Sequence, residues 1–297
     1  YTYEEIEQLN SQYTDPSDNL IRAFRSTLGR DPTLEELTFY MDQIEAGEMT
    51  LGDILTELTE SEEYRRNNEI IANIIGQVVA RLNEYINLTG AAQASFLEQL
   101  GLMVEDAVSV TSQLIERVNS WLSIQTAHFG SSAFNTIKTM LSKFGINNAD
   151  YEDIATSAIL TDILSGAINE ATTGPLLISM DSLLRTTTAK GLPVFSGKVN
   201  LEYLRSLNQP VVAYIAANRH WVVVNSVGQD TVSITESNGD TYTLSIDKFD
   251  ELWDGYILTH EQLPEGMSVS EEEMRGIKGA ADDYILIRED CGNGGRH

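Results

Sequence analysis

The sequence predicts an α+β protein in which an all-α amino-terminal region precedes a domain built from helices and an antiparallel sheet. Up to about residue 125, apolar residues recur at intervals of three and four, which is the period of an amphipathic helix. After residue 190 the period changes to two, and β-branched and aromatic residues dominate, as in half-buried strands. Tight turns at residues 227–230 and 237–240 separate successive runs, so neighbouring strands are expected to be antiparallel.

Residues 1–66 are predicted to form a small helical module. Three sites are typical helix starts, and each precedes an amphipathic run: Asp18-Asn19, Asp31-Pro32-Thr33 and Thr50. The string FRSTLGRDPTLEELTFYMDQIEAGEMTLGDILTELTESEEYR resembles a short domain of unknown function in bacterial exoproteins, similar in pattern to the phycobilisome linker helices. That resemblance implies no chemistry.

Residues 67–125 are predicted to form long amphipathic helices. The stretch contains no proline, and its apolar positions form two helical series that are separated by Thr89-Gly90. We therefore expect a helical hairpin that turns there. A membrane-surface helix would need cations on its polar face, whereas these faces carry mainly Glu, Asp, Gln and Ser.

Composition disfavours several classes of partner. Asp and Glu number 45 against 19 Lys and Arg, giving a formal net charge of -26, so a nucleic acid is not expected as a partner. No apolar run approaches the ~20 residues of a membrane span. A single cysteine, Cys291, allows no internal disulfide. Together with His297 it would supply only two of the roughly four ligands of a structural zinc site, so neither a metal nor a cofactor is predicted.

A candidate nucleophile lies at residues 130–146, GSSAFNTIKTMLSKFGI. This segment resembles the nucleophile helix of papain-fold, double-glycine leader cysteine peptidases, in which a cysteine opens the helix and a glycine follows thirteen residues later. Counting back from Gly145 gives Ser132. The resemblance implies a papain-like peptidase domain over residues 126–260. It also makes Gln125, seven residues before Ser132, a candidate for stabilising the oxyanion, although the family's glutamine lies six residues before the nucleophile.

The segment LNQPVVAYIAANRHWVVVNSVGQDTVSITESNGD resembles a second block of the same family. The resemblance implies that His220 is the base and that Glu236, sixteen residues later, orients its imidazole, with Asn238 as the alternative. A serine hydroxyl is not appreciably ionised at neutral pH, so a site built for a thiolate should activate Ser132 poorly. The sequence thus predicts an inactive form, either a cysteine changed to serine or a natural pseudo-peptidase that only binds leaders.

Residues 261–280, called the tail below, resemble the leader of double-glycine bacteriocin precursors. In VSEEEMRGIKGAA, steps of three and four bring Val269, Glu273, Met274 and Ile277 near one stripe of an amphipathic helix. Gly279-Ala280 then offers a slender extended backbone, and the expected cut lies between Ala280 and Ala281. Residues 281–297 would begin the cargo.

The predicted function is that of a cysteine-peptidase-type domain that recognises a double-glycine-type leader and cuts it after Gly279-Ala280 in cis. The alternative is a non-catalytic leader-binding module that serves secretion or docking. The expected partners are the chain's own tail, leader peptides in trans and an export transporter. The implied location is cytoplasmic before export and secreted afterwards.

Overall fold

The computed structural model describes residues 16–30, 32–125, 131–217, 219–237 and 239–279. The chain divides into two compact units, residues 1–71 and 72–297, and the division falls within one long helix. The domain boundaries expected from the sequence, after residues 66, 125, 260 and 280, stay predictions.

The first unit is helical. Its helices are α1 (Pro16–Leu28), α2 (Leu34–Glu45), α3 (Leu51–Glu60) and the start of α4 (Glu62–Tyr85). Thr33 and Thr50 each form a capping box, because the threonine side chain accepts from the third backbone N–H of its helix and the acidic residue there accepts from the threonine N–H. The predicted starts at Thr33 and Thr50 are confirmed, whereas the predicted start at Asp18-Asn19 is wrong, because α1 already begins at Pro16. Leu20, Phe24 and Ile54 are fully buried in the core of this unit.

The predicted hairpin turn at Thr89-Gly90 is confirmed, since α4 ends at Tyr85 and α5 (Gly90–Gln99) begins there. The prediction of a single long helix after it is wrong. The chain leaves the helix at Gly101, whose φ of 70° is left-handed, and α6 (Ser112–Leu122) starts anew with Thr111 as its cap. Between them, the Val108 N–H donates to Leu164 O at 2.7 Å.

The remaining elements carry the candidate site. The helices are α7 (Ser131–Lys143), α8 (Tyr151–Leu164), α9 (Met180–Ala189), α10 (Leu201–Ser206), α11 (Ile246–Leu252) and α12 (Glu271–Gly276). The strands are β1 (Ile178–Ser179), β2 (Phe195–Lys198), β3 (Val211–Ile215), β4 (His220–Val227), β5 (Thr231–Thr235), β6 (Thr241–Ser245), β7 (Trp253–Thr259) and β8 (Lys278–Gly279).

Six of these strands form one antiparallel sheet in the order β2-β7-β3-β4-β5-β6. The two predicted tight turns join β4 to β5 and β5 to β6, which confirms them. Valine, isoleucine and aromatic side chains from the strands and α11 fill the sheet's core, among them Val222, Ile234 and Phe249. Helix α7 packs against β4. The predicted α+β class, with a helix and an antiparallel sheet after an all-α region, is confirmed.

Candidate functional site

His220 and Glu236 form a buried pair at one end of the sheet. His220 is the first residue of β4, and Glu236 directly follows β5. Because β4 and β5 are antiparallel neighbours joined by a short turn, residues sixteen apart in sequence return to the same end. His220 Nε2 lies 2.5 Å from Glu236 Oε2, and the two side chains are 0% and 3% exposed. Tyr242 donates its hydroxyl hydrogen to the other carboxylate oxygen of Glu236.

These contacts set the ionisation of Glu236. Burial, the largest influence, raises the pKa of this carboxyl, but hydrogen bonds from His220 and Tyr242 and the charge of His220 outweigh it. The pKa of Glu236 therefore lies below its ordinary value. A carboxylate held ionised beside Nε2 favours the tautomer with hydrogen on Nε2, which makes Nδ1 the basic nitrogen. The predicted alternative partner, Asn238, lies outside the described residues.

Ser132 is the second residue of α7 and is fully buried. Thr136, one turn later on the same helix face, donates to the carbonyl oxygen of Trp221 at 3.0 Å. This bond holds the first turns of α7 against the start of β4, next to His220. Within the described ranges, Ser132 Oγ forms no hydrogen bond, including to His220. The structure thus joins His220 to Glu236 directly and sets Ser132 on a neighbouring element.

Gln125 uses both ends of its amide to hold a nearby loop. Its Nε2 donates to Gly174 O at 3.0 Å and to Trp121 O at 3.4 Å, and its Oε1 accepts from the Leu176 N–H at 3.0 Å. Both amide hydrogens are therefore engaged within the protein. The oxyanion role of Gln125 stays a prediction.

The tail docks on the domain in two short elements. After α12, β8 pairs antiparallel with β1, with Ile178 opposite Gly279 and Ser179 opposite Lys278. The Met180 N–H donates to Ile277 O at 2.9 Å, and Tyr214 donates its hydroxyl hydrogen to Lys278 O at 3.0 Å. The domain therefore forms hydrogen bonds with the backbone of the extended segment, as a neighbouring strand would.

The predicted helix from Val269 to Ile277 is wrong at both ends. Ser270 is the N-cap and accepts from the Glu273 N–H, so Val269 precedes the helix. Ile277 is already extended, because its carbonyl and the two following residues bond to the segment at β1 instead of continuing the helix. Val269, Met274 and Ile277 are nevertheless all buried. Glu273 is exposed and accepts from the Tyr256 hydroxyl at 2.7 Å.

Gly279 packs closely against the two residues that flank His220 in sequence. A Cβ on this residue would lie 2.4 Å from Trp221 Nε1 and 2.7 Å from Arg219 O, closer than real Cβ atoms come. Only glycine fits there without movement of its neighbours. Gly279 thus contacts the residues on both sides of His220. Ala280 and Ala281, where the cut is expected, lie outside the described residues.

A buried carboxylate that was not predicted from the sequence fixes the strand that receives the tail. Asp162, on α8, is fully buried and accepts hydrogen bonds from the Ser179 N–H, at 2.9 Å, and from the Ser179 hydroxyl. Burial raises the pKa of Asp162 to about 7, although these hydrogen bonds oppose the shift. Its sequence signal was a lone acid in the otherwise uncharged stretch IATSAILTDIL.

In the part of the chain that the structure describes, no group of three or more His, Cys, Asp or Glu side chains could hold a metal ion. No described helix is both long and apolar enough to cross a membrane. Cys291 and His297 lie outside the described residues.

One comparison with known proteins matches the part of the chain that contains the pair. The model of the Peptidase C39 family matches residues 168–265, a range that contains His220, Glu236 and strands β1 to β7. Ser132 and Gln125 precede this range. A search of curated proteins found no match. The family match supports a cysteine-peptidase-type domain in this part of the chain.

Proposed function

We propose that this chain contains a cysteine-peptidase-type site that receives its own tail, and that the form with cysteine at position 132 hydrolyses the Ala280–Ala281 bond. One observation carries the proposal. The extended backbone at Gly279 lies against Arg219 O and the Trp221 ring, and these two residues flank the buried His220 in sequence. A bond one residue beyond Gly279 would lie near the backbone of His220, because consecutive Cα atoms are ~3.8 Å apart.

The proposed chemistry assigns one task to each residue. Glu236 holds the Nε2 hydrogen of His220, and Nδ1 takes the proton of the residue 132 thiol. The thiolate attacks the carbonyl carbon of Ala280, and the imidazolium then protonates the departing nitrogen of Ala281. Water hydrolyses the resulting thioester and regenerates the thiol. Position 132 at the start of α7 favours this course, because a helix N-terminus stabilises an anion.

With serine at position 132, the proposed reaction would not occur and the tail would stay attached. A hydroxyl ionises far less readily than a thiol, and full burial of Ser132 makes its alkoxide still less favourable. This same observation favours the second candidate function, a leader-binding module that docks the tail without cutting it. In that case His220 and Glu236 would serve the structure of the site alone.

Changing Ser132 to cysteine discriminates the two functions. Mass spectrometry of the purified Ser132→Cys chain should find a new peptide of residues 281–297. Ser132→Ala, and Ser132→Cys combined with His220→Ala, serve as controls and should stay uncut. An intact Ser132→Cys chain after prolonged incubation would favour the binding module.

The concentration dependence of the reaction tests whether it occurs in cis. A tether places the tail at an effective concentration of order mM, so the first-order rate should not change when the protein is diluted. A rate that rises in proportion to protein concentration would indicate cutting in trans. Released cargo would begin at Ala281, and its proposed route from the cytoplasm is an export transporter.

A further inference from the structure

Four charged side chains form a closed ring between α9 and the tail helix α12. Asp181 and Arg185 come from α9, and Glu271 and Arg275 come from α12. Arg185 bonds to one oxygen of each carboxylate, at 2.8 Å from Asp181 and 3.0 Å from Glu271. Arg275 bonds to the other oxygen of each, at 3.4 Å in both cases. Each charge therefore has two neighbours of opposite sign.

The half of the ring on α9 is held in place by the domain itself. Asp181 is completely buried, and the Arg185 side chain is 10% exposed. Arg185 also donates to the Gly101 carbonyl oxygen and lies 4.0 Å from Asp106. Because Asp181 and Arg185 are already held in place, ordering them when a ligand binds costs little conformational entropy. The tail supplies the more exposed half of the ring, through Arg275 and Glu271.

We infer that Asp181 and Arg185 select leader peptides by charge, requiring a basic residue six positions and an acidic residue ten positions before the cut. Arg275 and Glu271 occupy these positions in the chain's own tail. The inference rests on the proposed function for the position of the cut, whereas the docking itself does not depend on cleavage. The inference also gives Glu271 a role. Because Glu271 is exposed and lies in a run of acidic residues, the sequence pattern alone gives no reason to expect one.

The ring gives the leader a defined register as well as affinity. Residues 271 and 275 are one helical turn apart and present their charges on one face. Sliding the helix by one residue would rotate that face by about 100° and separate both contacts between the tail and α9, Arg185–Glu271 and Arg275–Asp181. The same slip would shift Gly279 away from its place opposite Ile178. An apolar stripe alone tolerates such a slip more readily, because hydrophobic contacts are not directional.

Exchanging the two tail charges tests the inference in the full chain with Ser132 in place. Glu271→Arg with Arg275→Glu keeps composition and net charge but puts like charges opposite Asp181 and Arg185. Hydrogen exchange at residues 277–279 should quicken by at least about tenfold, since each hydrogen bond to a charged group contributes at least that factor. The control is Glu272→Arg, which alters an exposed neighbour outside the ring and should leave exchange unchanged.

A second measurement uses the charge-exchanged chain as a receptor. Its own tail should be released, so a fluorescent peptide of residues 265–279 can be titrated onto it. The natural peptide should bind at least about tenfold more tightly than the charge-exchanged peptide. Equal affinities, or unchanged hydrogen exchange in the exchanged chain, would overturn the inference. Neither measurement needs cleavage, so an uncut Ser132→Cys chain would refute the proposed reaction and leave charge selection standing.

Discussion

Replacing Gly279 by alanine should expel the tail from the site. The added Cβ would lie 2.4 Å from Trp221 Nε1, 2.8 Å from Trp221 Cδ1 and 2.7 Å from Arg219 O. Neither neighbour can yield easily, because the indole is fully buried and the oxygen belongs to the backbone. Arg219 in addition has a left-handed φ of 55°, which restricts backbone adjustment next to His220.

The size of the effect follows from these contacts. Restoring ordinary van der Waals separation requires a shift of roughly 1 Å, which is enough to disturb the pairing of β8 with β1. Overpacking of this kind costs ~1–3 kcal/mol in well-packed sites. The docked population should then fall by about fivefold to 150-fold relative to the undocked one.

Hydrogen exchange at residues 277–279 in the Ser132 chain measures this loss directly, because the protection factor reports the free energy of local opening. Gly276→Ala is the matched control. It adds the same methyl group three residues earlier in the tail, where a Cβ would meet nothing within 4 Å. Equal protection in the two variants would refute the argument that Gly279 is selected by its contact with Trp221 and Arg219.

Two further predictions concern buried side chains. Burial raises the pKa of Asp162 from 3.8 to about 7, so the folded chain holds a proton that the unfolded chain releases over this range, and stability falls as pH rises from about 4 to 7. As the pH rises from about 4 to 7, the free energy of unfolding of the Asp162→Asn variant should increase by about 4 kcal/mol relative to that of the parent chain, as measured by chemical denaturation. Parallel pH profiles of the two free energies would contradict this prediction. Ile277→Asp should abolish cutting by the Ser132→Cys chain, because burying a carboxylate costs several kcal/mol. Glu272→Ala, an exposed control, should cut normally, and equal cutting by both variants would contradict the prediction.

The period-two pattern after residue 190 indicates an antiparallel sheet, and five of the six strands in the main sheet, β3 to β7, lie in its runs of β-branched and aromatic residues. β2 was missed because Phe195–Lys198 lacks the alternation of apolar and polar residues. Its interior residues are small because another segment packs closely on it. A Cβ on Gly197 would lie 2.1 Å from Leu263 and 3.1 Å from Met267 O. Strand β2 therefore depends on contacts between segments that are distant in sequence. No local sequence pattern encodes such contacts.

The pairing of His220 with Glu236 was implied by the resemblance to the peptidase family, with Asn238 as the alternative to Glu236. In the structure the side chains of His220 and Glu236 are in contact. The Asp181–Arg185 pair was not predicted. An acid and a base four residues apart are typical of a solvent-exposed helix face, and the local spacing does not encode the tertiary contacts that bury these two side chains.

Under the proposed function, the end of the tail helix at Gly276 would let one short segment serve both selection and presentation. In a helix, backbone carbonyls are engaged by the fourth following N–H, and a peptide bond so engaged is poorly exposed to a nucleophile. Here the last turn closes at Ile277, whose N–H bonds back to Glu273 and Met274, while its carbonyl already bonds to Met180. In the proposed function, selection by side chains and presentation by backbone would therefore fall in adjacent parts of the tail, the helix up to Gly276 and the extended segment after it.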